Sequence, residues 1–244
     1  VGSFPDCHST LALQMMTETS PRNSESTRVQ LLDAAEKLFV QKGLDEVSVR
    51  AILREAGQRN QSALQYHFGS REGLISAIVE RRMSQLDARR SALVNEAMAQ
   101  DSDPDLRECC ALQARAPFLL CREDQGFRDF IGLFGQRLLT SNMAISSYLE
   151  AQRTPSLTTV WAALLNHLAH VDPVVLKLRI EETFSMSLLA ISRRARRKAS
   201  FRGQSAELFF NNLVDQIAAM LDAPVSVATQ THLQSRVPGE SGAS

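Results

Sequence analysis

A chain of 244 residues with 44% hydrophobic side chains, 22% charged ones and a formal net charge of +0 is long enough to bury one large or two modest cores. The zero balance excludes a general attraction to nucleic acid, so any such footprint has to be local. The longest apolar run, Ala116 to Cys121, falls far short of the roughly 18 residues that span a bilayer, and no Lys or Arg precedes Arg22 to supply a secretory n-region, so a cytoplasmic protein with no membrane partner is expected.

Residues 1–26 carry Pro5, Pro21 and several Ser and Thr without a sustained period and are expected to form a mobile tail. A first helix is predicted over 27–42, with Leu31, Leu32, Ala35, Leu38 and Phe39 as its buried stripe and Gly43 as its stop. Two short helical patterns then flank the break at 57–60. The first has Val49, Ile52, Leu53 and Ala56 at helical spacing behind Ser48, whose hydroxyl suits an N-cap, and Gly57 suits a left-handed stop. The second follows Asn60, a further N-cap, with Leu64 and Phe68 inward and Gln61, Ser62, Gln65 and Tyr66 outward. Two such helices about a tight turn make a helix-turn-helix. A fourth helix starts at Ser70 and runs through Leu74, Ile75, Ile78 and Val79 as a coupling rod to the rest of the chain.

From Met83 onward the apolar period stays near 3.6. Helices are predicted over about 84–100, 104–122, 127–141, 144–151, 156–170, 173–197 and 205–221, with no alternating pattern long enough for a strand. Residues 223–244 turn rich in Ser, Thr, Gln and Gly and are expected to be disordered. The organisation is therefore all-α: a helix-turn-helix domain at 27–82 and a larger helical domain at 83–222, between two tails.

The outward residues of the second short helix carry the chemistry. Glutamine can bond adenine through two hydrogen bonds in the major groove, serine can donate or accept, and arginine suits guanine or phosphate. Arg50, Arg59 and Arg71 cluster around this helix, where phosphate contacts would set register. Exposed Gln and Ser are also ordinary on any all-α protein, so these residues alone leave both readings open.

Residues 27–78 resemble the DNA-binding domain of the TetR family of bacterial regulators. The first helix has TR..LL.AAE.LF...G, the second SV..I...AG, and the third and fourth YHFGSREGL. Between Gly57 and Tyr66 the chain is one residue longer than the family pattern, the extra residue falling near Arg59. The resemblance implies a DNA-binding regulator, more often a repressor, that acts as a homodimer on a palindromic operator and is released by a small effector. It places Ser48, Tyr66, His67 and Arg71 near the DNA backbone, and Gln61, Ser62, Ala63 and Gln65 near bases, with Arg50, Arg59 and Asn60 beside them; His67 has a second reading as a helix-end packing residue.

Bulky residues at 111–134 and 160–191, among them Phe118, Phe127, Phe130, Phe134, Trp161 and Phe184, read as plain core. In proteins of the resembling family these helices enclose an effector cavity, for which Phe118, Phe130, Phe134, Arg137, Trp161, His167 and Phe184 are the expected lining, with Asn166 and Arg179 as further polar contributors to an apolar site. The stripe of Leu176, Ile180, Phe184, Leu188 and Ile191, and the wider one of Phe209, Phe210, Leu213, Val214, Ile217, Met220 and Leu221, suggest a four-helix dimer interface. The alternative is burial of both stripes within one chain. The basic run of Arg193, Arg194, Arg196, Arg197 and Lys198 reads either as a nucleic-acid patch or as the closure of a helix C-terminus.

No Gly-rich phosphate loop, Ser-His-Asp or Cys-His arrangement, or metal-spaced carboxylate pair occurs, so no enzyme, cofactor or metal is expected. Cys7, Cys109, Cys110 and Cys121 lack paired spacing; a redox-responsive regulator built on Cys109, Cys110 and Cys121, and an all-α interaction protein, are the alternative functions.

Overall fold

The computed structural model describes residues 21–60, 62–99, 104–140 and 155–235, and every regular element among them is helical. The predicted helix at 144–151 lies outside the described residues. The chain divides into two compact units, 1–80 and 81–244.

In the first unit, α1 (Pro21–Lys42) packs on α2 (Val49–Glu55), and α2 on α3 (Ala63–Phe68). Helix α1 begins six residues before the expected start, because Pro21 suits the first helical position and the added turn carries no apolar stripe to betray it. Leu31, Leu32, Ala35, Leu38 and Phe39 are buried, joined by Leu44, Val47, Ile52, Leu53, Leu64 and Leu74. Gly43 stops α1 with φ +87°, its N–H on the Phe39 carbonyl at 2.8 Å. The Ser48 Oγ accepts from Ala51 N at 3.2 Å as the cap of α2. At the far end of α2, Gly57 (φ +67°) donates to Arg54 O and Gln58 to Leu53 O, a Schellman closure that fixes the turn.

Helix α4 (Arg71–Met98) starts at Ser70, whose Oγ accepts from Gly73 N at 2.9 Å. It is one continuous helix instead of the two expected around Met83, since no Gly or Pro interrupts residues 74–98.

In the second unit, α5 (Leu106–Glu123) opens on a capping box in which Asp105 Oδ1 accepts from Glu108 N at 2.7 Å and Glu108 Oε2 from Asp105 N at 2.9 Å. It packs on α6 (Gln125–Thr140), α7 (Pro155–His167), α8 (Pro173–Arg196) and α9 (Gln204–Asp222), and α8 packs on both α6 and α9. The α6–α8 crossing is close because Gly132 and Gly135 face Ser192 and Ala195; a Cβ at Gly135 would lie 2.6 Å from that of Ser192. A last helix, α10 (Val227–Gln234), is capped by Ser226 and lies within the stretch expected to be disordered. It buries none of its residues, so no apolar stripe marked it in the sequence.

The stripes expected at a dimer interface turn inward in the single chain. Leu176, Phe210, Leu213 and Ile217 are buried, and Ile180, Phe184 and Leu188 border an internal cavity of the same unit. Phe209 is half-buried beneath the Arg194 guanidinium, 4.7 Å from its ring centroid, and Met220 is half-buried. The apolar face of α9 packs on α5 and α8. Large apolar residues left exposed on these helices are Val174, Leu178 and Leu208, at 39%, 58% and 72%.

The basic run closes α8. Ala199 N donates to Arg194 O and Lys198 N to Ala195 O, with Lys198 itself at φ +52°, and Arg194 Nε donates to Ser200 O at 2.9 Å.

Candidate nucleic-acid interface and effector cavity

The helix-turn-helix sorts the side chains of α3 into two faces. Ala63 and Leu64 are buried against the unit's core, while Ser62, Gln65 and Tyr66 are exposed, Tyr66 at 74%. Ala63, expected near bases, is 7% exposed and so lies off the outward face of α3. Gln61 lies outside the described residues. Asn60 shapes the turn, its Oδ1 accepting from Ser62 N at 2.9 Å. Ser48 likewise spends an acceptor on its helix cap, which leaves its hydroxyl hydrogen as a donor to phosphate. Arg50 and Arg59 are exposed on either side. His67 is half-buried, edge-on to Tyr66 at 4.9 Å between centroids and tilted against Phe68 at 6.1 Å, so it packs at the end of α3.

Arg71 is held differently from a free phosphate arm. Its guanidinium donates to the Leu44 carbonyl and lies 5.5 Å from the Phe39 ring centroid, tying the loop between α1 and α2 to the start of α4. Replacing Arg71 by Ala removes a charged hydrogen bond and a cation–π contact, so it is expected to cost the first unit about 2 kcal/mol of stability, read by circular dichroism in urea. Unchanged stability with a reduced salt slope for DNA binding would restore the simple phosphate role.

The second unit encloses a cavity of about 100 Å³. Helix α4 contributes Met83, Leu86 and Arg90, α5 contributes Gln113 and Pro117, α7 contributes Trp161 and Leu164, and α8 contributes Ile180, Thr183, Phe184, Ser187 and Leu188. Of the expected lining, Trp161 and Phe184 are there. Phe130 and Phe134 stack on each other at 4.9 Å in solid core, and Phe118 packs among Phe201, Phe209 and Phe210 on a different side of α5. Exposed His167 meets the Pro104 carbonyl at 2.8 Å, Asn166 is exposed, and Arg179 Nη1 donates to Leu221 O at 2.8 Å. The side chain of Arg137 lies outside the described residues.

Sequence reading missed Arg90, Gln113, Thr183 and Ser187. For Arg90 a signal existed: it shares a helical stripe with Leu86, Leu93 and Val94 and is 6% exposed. Cys109, Cys110 and Cys121 are fully buried; desolvation, reinforced by Cys109, pushes the Cys110 thiol up to about 12, and desolvation raises Cys121 further. Neither of these two supplies a reactive thiolate at neutral pH, which leaves the redox alternative without support.

Residues 31–78 match the family described as bacterial regulatory proteins, tetR family. Similar solved structures include a TetR-family transcriptional regulator from Pectobacterium atrosepticum (20% identity over 83% of this chain and 95% of that one, TM-score 0.49). Another is a protein assigned to the same family from Mesorhizobium loti (20% identity, 80% of this chain and 96% of that one, TM-score 0.48). No curated protein matches the chain significantly. Over the helix-turn-helix of its first unit, then, the chain carries a domain that matches the tetR family of bacterial regulatory proteins.

Proposed function

We propose that the chain is a cytoplasmic, homodimeric repressor that binds a palindromic operator and leaves it when a small apolar effector enters the cavity of the second unit. The observation that carries this reading is the sorting of α3, which withholds Ala63 and Leu64 for the core and leaves Ser62, Gln65 and Tyr66 outward. A helix kept only for packing has no need of an uncovered tyrosine at 74% exposure. Flanking Arg50 and Arg59 supply local positive charge in a chain of net charge +0.

Effector control follows from α4. Met83, Leu86 and Arg90 of this helix border the cavity, and the same helix begins at Arg71, which holds the loop before α2. A ligand that favours one setting of α4 shifts the population of DNA-competent dimers by its differential affinity for the two settings. Dimerisation is assigned to the outward faces of α8 and α9, where Leu178 and Leu208 stand exposed.

Hydroxyl-radical footprinting on the DNA flanking the chain's own gene tests this. Two protected patches related by a dyad, in successive major grooves about 34–36 Å apart or a multiple of that, are expected. Protection of a single patch, or none at concentrations that saturate the protein, would contradict it.

A further inference from the structure

We infer that the turn between α8 and α9 is a second, sequence-independent contact for double-stranded DNA, made to its phosphates by Arg193, Arg197, Lys198 and Arg202; this rests on the reading of the chain as a DNA-binding regulator. Residues 193–202 hold six cations, and no acid occurs between Glu182 and Glu207. The four named residues are exposed. Arg202 gives one N–H to the Arg122 carbonyl at 3.1 Å, and none of the four meets an acid among the described residues; Glu207 is held by Arg122. Closing a helix does not call for so much charge. A helix C-terminus presents the equivalent of about half a negative charge, and Arg193 and Arg197, four apart at the last turn of α8, repel each other. Lys198 stands at φ +52°, where a glycine would end the helix at less backbone cost. The turn therefore keeps cations beyond what its own fold uses.

The backbone that carries this charge is fixed. Arg194 Nε donates to Ser200 O at 2.9 Å, Arg202 N donates to Ser200 Oγ at 3.0 Å, and Arg122 Nε donates to Phe201 O at 2.8 Å. The spacing of the cations is thus set before a partner arrives. Arg122 also ties the turn to the end of α5. The next residue but one, Asp124, accepts at 3.2 Å from Arg82, the second residue of the second unit. Within that unit, then, the turn lies at the end where the chain enters from the helix-turn-helix. Exposed guanidinium and ammonium groups without a shaped pocket match the repeating charge of a phosphate backbone and carry no means of telling one base from another. A lipid surface fits less well, because residues 193–203 offer no large apolar side chain to insert: Phe201 is 1% exposed.

The full chain is titrated across a salt series on the DNA flanking its own gene and on a shuffled duplex, as wild type, as Lys198→Gly, and with Arg193→Gln, Arg197→Gln and Lys198→Gly combined. In Lys198→Gly the strain relieved and the chain entropy added nearly cancel, so its urea midpoint should hold. Its affinity for both duplexes should nonetheless drop by about fivefold near about 0.1 M salt, a loss that a purely structural lysine would not give. The triple variant should lose about 30-fold or more on both duplexes and lower the slope of log K against log salt by about 2–3, with the ratio between the duplexes unchanged. Unchanged affinity and slope in the triple variant would overturn the second contact and leave DNA binding by α3 standing, as would a loss confined to the flanking DNA. Wild-type binding to neither duplex would remove the DNA-binding reading as well. Vesicles of phosphatidylserine and phosphatidylcholine serve as the rival probe: binding that the triple variant loses while it keeps its DNA affinity would assign the turn to a lipid surface and overturn the inference. Should the triple variant fail to fold, Lys198→Gly decides alone.

Discussion

Leu213→Glu is expected to destabilise the second unit by about 5 kcal/mol at neutral pH and to unfold much of it. Leu213 is 2% exposed on the face of α9 that it shares with Phe210, Val214 and Ile217. A carboxyl carried into that setting gives up its charge. Holding it protonated at pH 7 costs about 1.36 kcal/mol for each of the roughly 2.7 units between pH 7 and its ordinary pKa near 4.3. Lost burial of the leucine adds about 1.5–3 kcal/mol. The total approaches the whole stability of an ordinary domain, about 5–15 kcal/mol. The pH dependence has a definite sign: the folded-state pKa of the introduced group lies above its unfolded value. Its electrostatic penalty is therefore large at pH 7, shrinks as pH falls through the folded pKa, and is gone below about 4.3. Urea unfolding followed by Trp161 fluorescence measures both. Leu208→Glu, on the same helix but 72% exposed, should keep its helicity and shift the protein toward monomers in sedimentation. A Leu213→Glu protein that is fully folded and merely monomeric would return Leu213 to an intersubunit face.

Gln65→Ala is expected to weaken binding to the true operator by about 1–3 kcal/mol, roughly 5- to 150-fold, with little change on random DNA. Gln65 is exposed on α3, one residue beyond buried Leu64, so its amide is free of the core and available to a base edge. Arg59→Ala should behave differently, lowering affinity for both DNAs and reducing the slope of log K against log salt by about one. Gel-shift titrations of both variants on both DNAs, at matched salt, separate the roles. An equal loss on the two DNAs for Gln65→Ala would sink its assignment to base reading.

The helix-turn-helix was legible because its signals are local. Ser48, Gly43, Gly57 and Ser70 each mark an end by their own backbone chemistry, and the structure uses each of them there. Other boundaries had no such marker. The continuity of α4 through Met83 was hidden by a change in apolar pattern with no breaker residue behind it, and α10 carries no apolar stripe at all. The stripes on α8 and α9 were read correctly as apolar, yet periodicity says only that a face is covered. Whether a partner chain or α5 covers Leu213 depends on packing between residues far apart in sequence. Arg90 was overlooked for a related reason: beside Arg81, Arg82 and Arg89 it looks like one more surface cation, and only its place on the stripe of Leu86, Leu93 and Val94 distinguishes it. The same limit applies to the pocket, where Phe130 and Phe134 fill core that Trp161 and Phe184 leave open.

Sequence-specific DNA binding is tested most directly by equilibrium affinity for the DNA flanking the chain's own gene, measured against a shuffled duplex of the same length and composition at the same salt. A regulator reading bases from the outward face of α3 should prefer the flanking DNA by at least about 10³-fold. Equal affinity for the two duplexes, with the same salt slope on each, would mean that Ser62, Gln65 and Tyr66 read nothing and that the exposed face of α3 serves another partner.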